Sequence, residues 1–489
     1  MAIDQITTGV IKDNAVTSAK IPAGAIEIAD VADDAITSAK IAAGAVDATA
    51  LGTGAVTTAK LAADAIDGTK IADNAVNSEH YTDGSIDTAH IGDDQVTGAK
   101  IENNPTIAGN LAVTGKTTLT GDLVPSSPLS HRNIIINGAM IVAQRGNGVN
   151  TSTGGAGFYH TADRMFSFDN CVAANHTRET TAGVLGTEAG NTFKDVFPYS
   201  WKFASNGTVT SIPAGDRVFF AYKMEGQDVQ HLAKGTANAQ PVTLSFWVKS
   251  TQTGNHQVNL CDNTNTRMIG ATYAVSSAGT WEKKIITFAG DTTGALANSN
   301  ANALSIEWWL TAGTNYTTGS VPTSWEANAA TDRNAGGAAN YVGGSGRTWQ
   351  ITGIQLELGS SATPFEHRSY GDELHRCHRY FVRFGNGSNG ACCNLHTGAA
   401  SDATKCYLNY WLPVVPRATP TLSVSGQVRI SDNYAADKEA SPPGIQDAPV
   451  DSSIGGRIRL NGFSSLTTGR NYGSAATSGT GFMDWSMEL

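Results

Sequence analysis

The chain has 489 residues, a net charge of −10 and only 16% charged residues, well under the usual quarter. That length allows two or three domains. The acidic balance, with no arginine before Arg132, speaks against nucleic-acid binding, which needs a basic face. No apolar run reaches the ~18 residues of a membrane span, and the opening MAIDQITTGV lacks the charged-then-apolar pattern of a signal peptide. Synthesis in a cytoplasm, without membrane insertion, is expected.

Residues 1–104 read as a ten-residue repeat. From Ile11 the units run IKDNAVTSAK, IPAGAIEIAD, VADDAITSAK and onward to IGDDQVTGAK. An aliphatic or aromatic residue opens each unit (Ile11, Ile21, Val31, Ile41), and a second follows five later (Val16, Ile26, Ile36, Val46). Five residues advance an α-helix roughly 140° past a full turn, so no apolar stripe forms. Five is also odd, so a continuous strand would point successive apolar residues to opposite faces. The chain must bend within each unit. The fourth position supplies the bend, with Asn14, Gly24, Asp34, Gly44, Gly54 and Asp64, residue types that tolerate turn and left-handed conformations. Short extended segments joined by tight turns are expected.

Two sizeable apolar side chains per unit gain roughly 3–6 kcal/mol on burial. Ordering ten residues costs on the order of 15 kcal/mol. Three chains around one axis would share a core and add interchain hydrogen bonds, so a trimeric intertwined β-fibre is expected. A single-chain β-solenoid would bury the same residues, and a disordered linker would be poorer in aliphatics.

Residues 105–129 change period. Ile107, Leu111, Val113, Leu119 and Leu123 share one parity, which is strand alternation, and PSSP closes the segment as a linker. Residues 130–371 read as an all-β sandwich or jelly roll. PVTLSFWVKS sets Leu244, Phe246 and Val248 on one face and Trp247 on the other. LSIEWWL sets Leu304, Ile306, Trp308 and Leu310 against Glu307 and Trp309, and WQITGIQLELG keeps Ile354, Leu356 and Leu358 in phase. Residues 372–489 form a further β-rich piece, opening with a helical turn in DELHRCHRYFVRF.

Six cysteines in a protein made in a reducing compartment read as free thiols. HRCH followed by CC raises His375, Cys377, His378 and Cys392 as weak zinc candidates. Paired CxxC spacing is missing, so no metal or other cofactor is expected.

Several strings resemble phage tail-fibre proteins. HRNIIINGAMIVAQRG followed by TADRMFSF resembles the N-(I/L)-I-x-N-G-x-M-x-x-x-Q-R-G … DRW opening of a head domain in that family, with Met165 at the tryptophan position. GIQLELGSSATPFEHRSYGDELHRCHRYF resembles its end. KMEGQDVQHLAKGTANAQPVTLSFWVKS resembles its strand pair, which is similar to jelly-roll carbohydrate-binding modules. LPVVPRATPT resembles a strand that follows, and the decads are similar to those of marine and cyanobacterial phage fibres. The resemblance implies a homotrimeric virion fibre exposed on the particle surface. It would be held at its N-terminus by a tail protein and would present a distal head to host surface polysaccharide. A capsid-attached fibre with the same adhesive role is the alternative.

Sugars stack their C–H faces on tryptophan or tyrosine and pair their hydroxyls with short polar side chains. All nine tryptophans follow residue 200. Trp247 and Trp309 point away from the aliphatic face of their strands, which makes them the ligand-contact candidates. A tailspike-type polysaccharide depolymerase would need two poised carboxylates, and no GxSxG, HExxH or Walker motif is present. No enzyme is therefore expected, and Asp163 with Arg164 reads as a structural pair.

Overall fold

The computed structural model describes residues 12–47, 49–67, 69–72, 75–76, 81, 85–86, 91, 131–147, 150–152, 156–159, 161–187, 194–385, 397–426, 428–432, 438–440, 444–447, 454–474 and 482–489. The chain divides into two compact units, Met1–Thr118 and Leu119–Leu489.

In the first unit each described decad is built from two tight turns. The fourth position carries positive φ at Asn14, Gly24, Asp34, Gly44, Gly54 and Asp64 (59–82°), as the residue types require. The fifth residue's N–H closes that turn onto the second residue's carbonyl: Ala15 onto Lys12, Ala35 onto Ala32, Ala55 onto Gly52. Positions eight to ten then form 3₁₀ turns at Ser18–Lys20, Ile28–Asp30, Ser38–Lys40 and Thr58–Lys60. At three unit ends a lysine caps the fold-back. Lys20 Nζ donates to the Ala15 carbonyl at 2.6 Å, and Lys40 and Lys60 repeat the contact. Asp47 and Asp67 do the same work by accepting from Thr49 and Thr69.

No β-strand forms among the described decads, which differs from the extended segments expected. The two turns leave single extended residues such as Thr17 and Ile21, too few for a ladder. Both apolar series stay 38–61% exposed, from Val31 to Ile36. The alternating segment at 105–129 lies outside the described residues.

Among its described residues the second unit is all-β around one helix and a few 3₁₀ turns. Its first part comprises β1 (Asn150–Ser152), β2 (Ala156–Tyr159), β3 (Phe166–Asp169), β4 (Ala174–Thr187), β5 (Lys194–Ser205), β6 (Arg217–Glu225), β7 (Val242–Ser250), β8 (Gly254–Asp262), β9 (Arg267–Val275), β10 (Glu282–Phe288), β11 (Asn302–Ala312), β12 (Glu326–Ala327) and β13 (Thr348–Leu358). One sheet runs β1-β4-β5-β13-β7-β10 and the other β12-β9-β8-β11-β6-β3-β2. The chain crosses between sheets after β1, β3, β5, β6, β7, β9, β10 and β12, giving a jelly-roll-like sandwich. Leu244, Phe246, Val248, Leu304, Ile306, Trp308, Ile354 and Leu356 fill the layer between the sheets, as their alternation dictates.

The helix α1 (Tyr370–His378) follows, its N-terminus capped by Ser369 Oγ accepting from the Asp372 N–H. Then come β14 (Phe381–Phe384), β15 (Gly398–Asp402), β16 (Lys405–Trp411), β17 (Thr421–Ser425), β18 (Val428–Ser431), β19 (Lys438–Ala440), β20 (Gly444–Asp447), β21 (Gly455–Asn461), β22 (Asn471–Ser474) and β23 (Phe482–Ser486). They form a three-stranded and a seven-stranded sheet over a second core that includes Leu408, Tyr410, Ile458 and Trp485.

The last residues tie this part to the sandwich. Glu488 pairs with Arg164 at 2.9 Å and Arg145 at 3.2 Å, and Lys223 Nζ donates to the Leu489 main-chain oxygen at 2.6 Å. Asp163 and Arg164 are structural but do not pair with each other. Asp163 accepts from the Gln144 N–H at 3.0 Å, while the Arg164 guanidinium lies 3.4 Å from the Tyr380 ring centre. Among the described residues no helix is long and apolar enough to cross a membrane.

Candidate functional site

Alternation places Trp247 and Trp309 outside the main core, as read from the sequence, but both are covered. Trp309 is 1% exposed. It stacks on Phe219 at 5.1 Å and packs on Tyr316 at 5.3 Å, with Nε1 donating to Glu307. The segment after β11 lies over this face, and Gln257 and Asn259 donate to its Asp332 and Arg333 carbonyls at 2.7 Å each. Trp247, 6% exposed, sits under Ala139, Ile141, Phe365 and Trp281. Neither ring is open to a ligand. Parity tells which side of a sheet a residue occupies; what lies over that side is set by distant chain.

Among the described residues no three potential metal-ligating side chains come together. Cys377 is fully buried, and burial pushes its thiol well above the ordinary range, away from the thiolate a metal needs. His375 is exposed and His378 half-buried on α1. Burial, then the neighbouring His375, holds His378 below its usual range. Cys392 lies outside the described residues. Cys171, Cys261, Cys377 and Cys406 are free thiols.

An open aromatic surface lies on β16. Its burial alternates: Cys406, Leu408 and Tyr410 enter the second core, while Tyr407, Asn409 and Trp411 face outward. Trp411 is 60% exposed, and of the nine tryptophans it alone has an exposed side chain. The paired strand β21 sets Arg459 opposite Tyr407, Arg457 opposite Asn409 and Gly455 opposite Trp411. Gly455 lets the ring come close: a Cβ would sit 2.7 Å from a Trp411 ring carbon, so the indole lies against bare main chain. The Arg457 guanidinium stands 4.0 Å over the Tyr407 ring, and Arg459 donates to the Tyr407 hydroxyl at 2.9 Å. Asn409 is fixed by donating to the Thr397 carbonyl at 2.7 Å.

A shallow hollow of about 690 Å³ runs along Asn409, Trp411, Gly455 and Arg457. It offers an exposed indole face, an amide oxygen and a guanidinium fork on one rigid sheet surface. That combination takes a planar apolar face edged by acceptors and hydroxyls. The sequence signal was present in YLNYWL, where Tyr407, Asn409 and Trp411 share parity.

No family model matches the chain, and no curated protein does. Solved structures overlap part of it. An arabinose-bound α-L-arabinofuranosidase aligns over 51% of this chain and 30% of its own, at 11% identity and TM-score 0.25. The enzymatically active domain of bacteriophage CBA120 tailspike protein 4 aligns over 46% of this chain and 21% of its own, at 11% identity and TM-score 0.24. A family 11 carbohydrate-binding module of Clostridium thermocellum aligns over 45% of this chain and 98% of its own, at 9% identity and TM-score 0.21. The chain spans under a third of the first two. Overlaps of this extent transfer no function.

Proposed function

We propose that the protein is a virion tail fibre that binds host-surface glycan without cleaving it. The exposed Trp411 face, backed by Gly455 and flanked by Asn409 and Arg457, carries the reading. A large exposed indole is costly in water, and its neighbours are the polar groups that orient a sugar ring.

The repeat supports the fibre half. Its apolar residues recur every five positions and remain 38–61% exposed in one chain. Three chains sharing an axis would cover them, forming a shaft that displays the globular unit on the particle. A tail or capsid protein would hold the other end.

Binding of the full chain to purified envelope polysaccharide, with release of reducing ends followed in the same samples, tests the proposal. Saturable binding lost in Trp411→Ala, with no reducing ends, is expected. Absence of binding to any envelope glycan overturns the adhesive reading, and steady release of reducing ends overturns the non-enzymatic one.

A further inference from the structure

A second concavity lies on the sandwich side of α1. Two adjoining hollows of about 430 and 450 Å³ share His131, Arg368, His375 and Arg376 as lining. One wall is apolar, formed by Ile134, Ile136, Val414 and Val415. The other is cationic.

The three arginines here are not equivalent. Arg379 is neutralised by a two-pronged contact with Glu225 at 2.8 and 2.7 Å. Arg368 pairs with Glu366 at 3.1 Å and Glu373 at 3.2 Å and also donates to two main-chain carbonyls. Its Nε is nevertheless buried without an acceptor. Arg376, half-buried on α1, meets no acceptor or carboxylate among the described residues. The exposed His231 lines the same hollow from the 3₁₀ turn Gly226–Leu232. The acids on the rim are partly committed. Glu366 accepts from the Asn133 N–H, Asp372 from Ser369, and Asp228 from the Tyr380 hydroxyl.

Among the described residues, a net-acidic chain thus keeps one unpaired guanidinium in a concave site beside an apolar wall. Guanidinium forks match planar oxyanions and lose little freedom on doing so. The apolar wall fits the C–H face of a ring carrying that oxyanion.

We propose that this cleft is a second ligand site, separate from the Trp411 face, that takes an acidic saccharide by pairing its oxyanion with Arg376. The anion is a uronate carboxylate or a sugar sulfate ester. The sugar as carrier rests on the glycan-binding reading above; the anion preference rests on the cleft alone.

Calorimetric titration of the full chain with an oligoglucuronate, a sulfated oligosaccharide and their neutral parent tests this. Wild type, Arg376→Gln and Trp411→Ala are compared, with thermal melts confirming that each variant folds. At least one acidic ligand should bind ten-fold or more tightly than the neutral parent. Arg376→Gln should abolish that preference, and Trp411→Ala should keep it. The uronate and sulfate arms identify which oxyanion is preferred. Equal affinity for acidic and neutral ligands, or an acid preference that survives in Arg376→Gln, overturns the cleft proposal. Neutral-glycan binding lost only in Trp411→Ala would leave the adhesive reading standing while this one falls.

Discussion

The main-chain N–H of Asn137 donates to Glu373 Oε2 at 2.6 Å across 236 residues of chain. Both residues are buried. Around that bond two strings distant in sequence lock together. Asn133 accepts from the Leu356 N–H and donates to the Ile354 carbonyl. Glu366 accepts from the Asn133 N–H, and Arg368 ties Glu366 to Glu373. A Cβ on Gly138 would sit 2.1 Å from the Ile354 carbonyl oxygen. The NIIING and QLE…ATPFE…EL residues therefore close the sandwich.

Removing one partner of this buried network should be costly. Glu373→Ala leaves the buried Asn137 N–H without its acceptor and Arg368 with Glu366 as its remaining carboxylate, and should lower unfolding free energy by about 1–3 kcal/mol. Glu373→Gln keeps an acceptor for Asn137 and should lose less. Urea unfolding of both variants measures the difference; equal stability of Glu373→Ala and wild type would dissolve the lock.

Trp411→Ala should separate binding from folding. The ring is 60% exposed, so stability should change by no more than about 0.5 kcal/mol. Glycan affinity should fall roughly 30-fold, about 2 kcal/mol, if the indole anchors the ligand. Gly455→Val should weaken binding in the same direction by lifting the ring from the main chain. Paired melts and titrations report both quantities.

His256 sets an acid limit. Its Nε2 contacts the Tyr341 hydroxyl at 2.6 Å, its Nδ1 the Gly254 carbonyl at 3.1 Å, and burial pushes its pKa down to about 4. Below the unfolded value of 6.5 the unfolded chain takes up a proton that the folded chain refuses. Stability is thus lost as pH falls from about 6.5 to 4, on the order of 3 kcal/mol. Asp163 works in the opposite sense, since burial raises it to about 6 and the folded chain gains stability as pH falls from 6 toward 3.8. The stability of wild type minus that of His256→Gln should therefore drop with acid across 6.5 to 4. A flat difference would show that the histidine is not kept neutral.

The repeat should assemble. Full-length protein should sediment as three chains, and Ile36→Asp, at a side chain 61% exposed in one chain, should lower the melting temperature of that assembly. A monomer at micromolar concentration would refute the shaft.

Much of the fold is legible in the sequence. The positive-φ turns at Asn14, Gly24 and Asp34 follow from residue type, because few side chains tolerate that conformation. The core faces at Leu244, Phe246, Leu304 and Trp308 follow from a period of two. The decads were harder: an apolar spacing of five required a bend, but 3₁₀ turns satisfy it as well as short strands do. Arg164 was legible as structural, but its partner Glu488 was not, since the two stand 324 residues apart.

The same limit governs the sites. By itself the sequence determined which side of its strand each tryptophan occupies, because alternation is a property of local backbone geometry. Only the tertiary structure decided which of those sides stays open. Trp309 is roofed by the segment after β11 and Trp247 by Ala139 and Ile141 from before β1 with Trp281 and Phe365, whereas the side shared by Tyr407, Asn409 and Trp411 meets solvent. Exposure depends on chain that is distant in sequence, and no local pattern encodes it.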